Sequence, residues 1–214
     1  MKIAYINPNS TASMTQGIVA TARAALPDAQ IIGLTNTSAP AAIQGKADGD
    51  AALPGLLALV PEARALGADA IVIACFDDTG LAQARARAGC PVLGIGQSSF
   101  VMAGLLGLRF SVITSLPVSI PVIEENIHDQ GFSGMCVSVR ASGLPVLTID
   151  EGGPDVIDHL VNDISAAQTQ GAACAVLGCA GMAHLAPQLG ARAGIPLIEG
   201  VGASARLARA VAGR

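Results

Sequence analysis

Short apolar runs that end in turn residues recur along the chain. Residues 2–6 lead into Asn7-Pro8-Asn9-Ser10-Thr11, and residues 109–113 lead into Thr114-Ser115-Leu116-Pro117. Residues 70–74 and 173–177 are likewise short, apolar and partly β-branched, as strands buried on both faces are. Helical spacing separates them. Leu56, Leu57, Val60 and Ala63 fall on one face of 51–66, and Val156, Leu160, Ile164 and Ala167 on one face of 155–170, each stretch closed by a capping glycine. Each half reads strand, helix, strand, helix, strand.

The two halves also resemble each other. Residues 67–75 (GADAIVIAC) align without a gap on 171–179 (GAACAVLGC), and 88–93 (AGCPVL) on 193–198 (AGIPLI) after a one-residue insertion. A repeat of half the chain signals a duplicated domain, not a solenoid. The expected architecture is α/β: two similar lobes, each a parallel sheet flanked by helices, related by a pseudo-twofold axis. Residues 1–97 plus 203–214 should form one lobe and 98–202 the other, with the active site in the cleft between them.

Composition narrows the function. The 214 residues are 51% hydrophobic, 13% charged and 2% aromatic, with a formal net charge of −4. That excludes disorder, and neither a basic footprint nor a stacking platform is present for nucleic acid. The longest apolar run, 100–108, is too short to cross a membrane, and Asn7-Pro8-Asn9 interrupts the first apolar run before a secretory core could form. A cytoplasmic protein with small-molecule substrates is expected, partnered by further copies of itself and by no nucleic acid or membrane. The five cysteines are odd in number and form no C-x-x-C pair, so free thiols are expected.

Ligands of parallel sheets gather at the carboxyl ends of the strands. Asn7, Cys75, Thr114 and Cys179 all fall there, and the repeat makes Cys75 and Cys179 equivalent. A thiol on each side of a substrate is what cofactor-free racemisation at carbon requires. One thiolate removes the proton, and the opposite thiol returns one to the other face. Each cysteine precedes a turn and a helical run, so a helix N-terminus is expected to lower both thiol pKa values. Cys90, Cys136 and Cys174 lack such counterparts and read as small buried hydrophobes.

Other chemistries find less support. Gly200-x-Gly202-x-x-Ala205 matches a dinucleotide-binding string, but no second strand or ribose-binding acid follows it. Lys2 and Lys46 are the only lysines for a pyridoxal Schiff base, and neither has a suggestive context. His128, His159 and His184 lack metal-ligand spacing, His159 reads as a surface residue, and Asp77-Asp78 reads as a solvated turn.

Asn7-Pro8-Asn9-Ser10-Thr11, IACFDDTGL at 73–81 and VLGCAGM at 176–182, with RFSVIT at 109–114 and PLIEGV at 196–201, resemble the hydantoin and allantoin racemase branch of the aspartate/glutamate racemase superfamily. The similarity runs from end to end. It implies a two-base racemase of 5-substituted hydantoins that uses no metal and no cofactor, with Cys75 and Cys179 as the acid/base pair. Asn7, Ile43, Phe76, Thr114, Ala180 and Gly181 are the implied substrate-binding residues. Amino-acid racemases of the superfamily typically have Thr and His shortly after the second cysteine, and Ala180-Gly181-Met182 stands here instead. Gln44 occupies a segment where the family often has Glu. Allantoin is the alternative substrate; another enzyme of the superfamily, or a two-lobed small-molecule or redox-sensing module, are the other readings.

Overall fold

The computed structural model describes residues 1–212. The first half runs β1 (Lys2–Asn7), α1 (Ala12–Ala25), β2 (Gln30–Thr35), α2 (Lys46–Ala65), β3 (Ala70–Ile73), α3 (Leu81–Ala88), β4 (Val92–Gly94) and α4 (Ile95–Leu106). The second runs β5 (Phe110–Thr114), α5 (Ile120–Asp129), β6 (Cys136–Ala141), α6 (Val146–Glu151), α7 (Pro154–Thr169), β7 (Cys174–Gly178), α8 (Ala186–Gly190), β8 (Leu197–Glu199) and α9 (Gly200–Ala212). A 3-10 segment, Ala180–Leu185, links β7 to α8.

Two four-stranded sheets result, ordered β2-β1-β3-β4 and β6-β5-β7-β8, and every strand pair in both is parallel. The fold is α/β, with one sheet order used twice. Each sheet has one strand more than the apolar pattern gives, β2 in the first and β6 in the second. Both are edge strands. β6 is half-buried throughout and alternates Val137 and Val139 with Ser138 and Arg140, so it lacks the continuous apolar run that marks strands covered on both faces. By contrast Ile3, Ala4, Tyr5 and Ile6 of β1, and Phe110, Val112 and Ile113 of β5, are fully buried.

The last helix of each half crosses to the other sheet. α4 follows β4, yet its Phe100 and Ala103 pack with Phe110 and Val112 of β5 and Cys174 and Val176 of β7. α9 follows β8, yet Val201, Ala205 and Ala208 pack with Ile3 and Tyr5 of β1 and Met14 and Ile18 of α1. Such a reciprocal exchange is what a pseudo-twofold relation requires. Aromatic contacts hold one side. Phe100 stacks on Phe110 at 5.6 Å and meets Phe76 edge-on at 5.7 Å, contacts of about 0.5–1.5 kcal/mol each. On the other, the buried Tyr5 hydroxyl lies 3.0 Å from both Val201 O and Ser204 Oγ.

Glycines permit the crossing. A Cβ on Gly200 would collide with the carbonyl oxygen of Ile95, and one on Gly96 with that of Phe76. Gly202 lies against the Glu199 carboxylate, which accepts the N–H groups of Val201 at 2.9 Å and Gly202 at 2.6 Å. The Gly200-x-Gly202 string therefore serves helix crossing and capping.

Candidate active site

Cys75 and Cys179 open onto one cavity. Around it stand Asn9 from the first turn, Met14 of α1, Ile43 from the loop before α2, Phe76 and Asp77, then Thr114 at the end of β5, Ser115 and Ser119 after it, Val146 of α6, and Ala180. Both sheets contribute their carboxyl ends. The free space is about 30 Å³, room for about one water molecule, so a larger ligand requires the walls to part.

Through Ile43, 7% exposed, the loop of residues 36–45 covers one side of the cavity. Ser10 N donates to Pro40 O at 3.0 Å and Thr11 Oγ1 to Ala41 O at 2.7 Å, which tie this loop to the first turn. One link to the other half is Gln44 Oε1, which accepts the N–H of Val146 at 3.1 Å, and Gly45 lies close against Val118 beside it. The Gln44 position therefore joins the covering loop to α6, a role not visible in the sequence.

Burial dominates both thiols. It raises the Cys75 pKa well above its ordinary value, reinforced by the Asp77 charge and opposed by the Asp77 backbone N–H and the Thr79 hydroxyl, 3.8 Å from Sγ. Burial likewise pushes Cys179 up to about 12, against the backbone N–H groups of Gly181 and Met182. The expected lowering by helix N-termini does not occur. Phe76–Gly80 separate Cys75 from α3, and Cys179 caps only a short 3-10 segment, whose N–H groups cannot outweigh lost solvation.

Of the implied substrate-binding residues, Ile43, Phe76, Thr114 and Ala180 line the cavity; Asn7 and Gly181 do not. Asn7 is fully buried, and its amide donates to Asn9 Oδ1 at 2.8 Å, Thr11 O at 3.2 Å and Thr15 Oγ1 at 3.0 Å. It shapes the turn, and Asn9 reaches the cavity in its place. Gly181 packs against Asp150 behind Cys179. Phe76 is 3% exposed and belongs mostly to the aromatic cluster. Thr114 Oγ1 donates to Gly178 O at 3.1 Å, tying the strand end of β5 to that of β7.

Asp77-Asp78 is no solvated turn. Asp78 is buried in a left-handed conformation, φ 49°, and its carboxylate accepts the N–H groups of Gly96 at 3.0 Å and Gln97 at 2.7 Å at the start of α4. Asp77 lines the cavity. Asn9, Met14, Ala74, Asp77, Ser115, Ser119, Val146 and Gly178 are the wall residues that sequence reasoning missed. For Asn9 and Ser115 the signal was present, since both lie in the strand-end turns already singled out. All five cysteines are free; Cys174 is buried, whereas Cys90 and Cys136 are half-buried. His159 is exposed, with Nε2 2.8 Å from Ser142 O.

Two parallel sheets facing one thiol-bearing cavity define a class of racemase-like folds, and comparison with known proteins places the chain within it. Residues 3–208 match the family model described as Asp/Glu/Hydantoin racemase. The chain is 43% identical to a hydantoin racemase of Rhizobium meliloti, covering 100% of this chain and 89% of that protein. It is 36% identical to one from Pseudomonas sp. (strain NS671), covering 99% and 86%. Among solved structures, allantoin racemase from Klebsiella pneumoniae superposes with a TM-score of 0.92 at 35% identity, over 98% of this chain and 86% of that one. The chain belongs to the Asp/Glu/hydantoin racemase family. It is an isomerase, and its reaction class is racemisation.

Proposed function

We propose that this racemase acts on 5-substituted hydantoins with Cys75 and Cys179 as its acid/base pair. The observation that carries the reading is that two repeat-equivalent thiols, one from each sheet, border a single cavity. The C5–H bond breaks as one thiolate gains the proton. The opposite thiol then gives its proton to the other face of C5 and becomes the thiolate. Burial suits both roles, since it keeps the waiting thiol protonated and makes the thiolate a stronger base. Asn9, Ser115 and Ser119 line the cavity, and in this reading their donor groups would stabilise charge on an enolate oxygen.

Allantoin, a hydantoin bearing a ureido group, is the second reading, favoured by the likeness to allantoin racemase structures. In this proposal residues 1–97 with 203–214, and 98–202, are the lobes on either side of the cleft. The enzyme works in the cytoplasm as a homo-oligomer on small molecules, without cofactor. The test compares kcat/KM for an alkyl or aryl hydantoin, allantoin, glutamate and aspartate, in chelator and without added cofactor. Preference for a hydantoin supports the proposal. Preference for glutamate or aspartate, loss of all activity in chelator, or a reversible Cys75–Cys179 disulfide without turnover overturns it.

A further inference from the structure

Among the described residues, the cavity wall holds one acidic side chain, Asp77, and no Lys, Arg or His. Its carboxyl accepts no hydrogen bond from any described residue, whereas the neighbouring Asp78 carboxyl is spent on the start of α4. The Asp77 backbone is fixed. Its carbonyl accepts the Asn126 amide at 2.8 Å from α5, and its N–H favours the Cys75 sulfur. It shares the cavity wall with both Cys75 and Cys179, and its charge bears on both thiols. Outward, Asp77 also borders a depression with Lys46, Thr79 and Glu125, where Lys46 is already paired with Asp50 at 2.9 Å.

We propose that Asp77 is the specificity-determining residue of this cavity, selecting uncharged ligands that present an N–H and rejecting ligands that carry a carboxylate. The inference deepens the hydantoin reading and rests on it. A hydantoin ring is neutral and offers N–H groups; its ring-opened ureido acid offers N–H groups too, but brings a carboxylate next to ionised Asp77 in a cavity wall with no cation. At an effective dielectric near 20, a like charge about 6 Å away costs about a hundredfold in affinity.

A matched pair of ligands that cannot react isolates this charge rule from turnover. 5,5-Dimethylhydantoin has no proton at C5, and its ring-opened ureido acid differs by one added water and one carboxylate. Calorimetric affinities for both are compared at about pH 8, where Asp77 is mostly ionised, on the wild type and on Asp77→Asn, with Asp77→Ser as a second variant should Asn perturb folding. The wild type is expected to bind the neutral ring about a hundredfold more tightly than the acid. In either variant the gap should shrink at least tenfold, mainly through gained affinity for the acid. A wild type that binds both equally or binds neither, or a gap unchanged in the variants, overturns the inference. Absence of hydantoin racemisation by the wild type instead defeats the substrate reading, and the binding pair still judges Asp77.

Discussion

The two halves share one sheet order but frame their thiols differently. Cys75 is followed by a five-residue turn, Phe76–Gly80, that brings a cavity-facing acid, a buried capping acid and the Thr79 hydroxyl. Cys179 is followed by the small residues Ala180 and Gly181, and only backbone N–H groups favour its sulfur. The duplicated sheets supply two equivalent strand ends, and the turns after them supply unequal chemistry. That division suits racemisation. In the proposed mechanism both enantiomers would place the reacting carbon between the same two sulfurs, while the rest of the substrate is not symmetric and would be recognised from one side.

Removing either thiol tests the equivalent part of the comparison and carries the largest expected effect. Cys75→Ser and Cys179→Ser should each lower the kcat of racemisation by roughly a thousandfold, because serine is a poor base and both bases are needed. Circular dichroism and Tm should stay near wild type. Near-normal turnover by one variant would reduce that cysteine to packing. pH gives the next largest effect. Both thiol pKa values lie above their ordinary value, so the thiolate fraction, and with it kcat/KM, should climb about tenfold per unit between pH 7 and 9. A profile flat across that range would contradict thiolate catalysis from these buried sites.

The unequal part is tested more finely. Gln44→Ala removes the hydrogen bond between the covering loop and α6 and should raise KM about fivefold, a typical yield for one hydrogen bond. Thr79→Val removes a donor from Cys75 alone. It should change kcat about twofold to threefold in one direction more than in the other. Because enantiomers are equal in free energy, kcat/KM must remain equal in both directions, so KM has to move with kcat. Equal changes in both directions would show that Thr79 does not act through Cys75.

The smallest effect is on stability. Burial raises the Asp77 pKa from 3.8 to about 7. The folded state then holds a proton that the unfolded state has lost between those values, so this contribution is complete below pH 3.8 and vanishes as pH rises through 7. Tm should be higher at pH 5 than at pH 8. Asp77→Asn should lose part of that difference, read by calorimetric scans at both values.

How much of this was legible in the sequence depended on the kind of signal. The strands buried on both faces announced themselves as apolar runs, and the repeat paired Cys75 with Cys179. The edge strands β2 and β6 did not, because half-buried strands mix polar and apolar positions. At the site, strand-end position identified Thr114 and the turn after Asn7, but which amide reaches the cavity is set by hydrogen bonds within that turn. Asp77 and Asp78 are adjacent and alike in sequence; one caps α4 and the other faces the cavity, a difference made by the φ of 49° at Asp78 and by a helix 17 residues onward from it. Gln44 and Val146, 102 residues apart, meet only through the packing of the two halves.

Racemisation of a single enantiomer of a 5-substituted hydantoin in deuterium oxide, followed by mass spectrometry early in the reaction, tests the two-thiol account most directly. The account predicts deuterium at C5 in the product enantiomer from the first turnovers, with the recovered substrate still carrying protium. Deuterium appearing at the same rate in recovered substrate and product, or a product that retains the original proton, would contradict a reaction in which one cysteine takes the proton and the other supplies it.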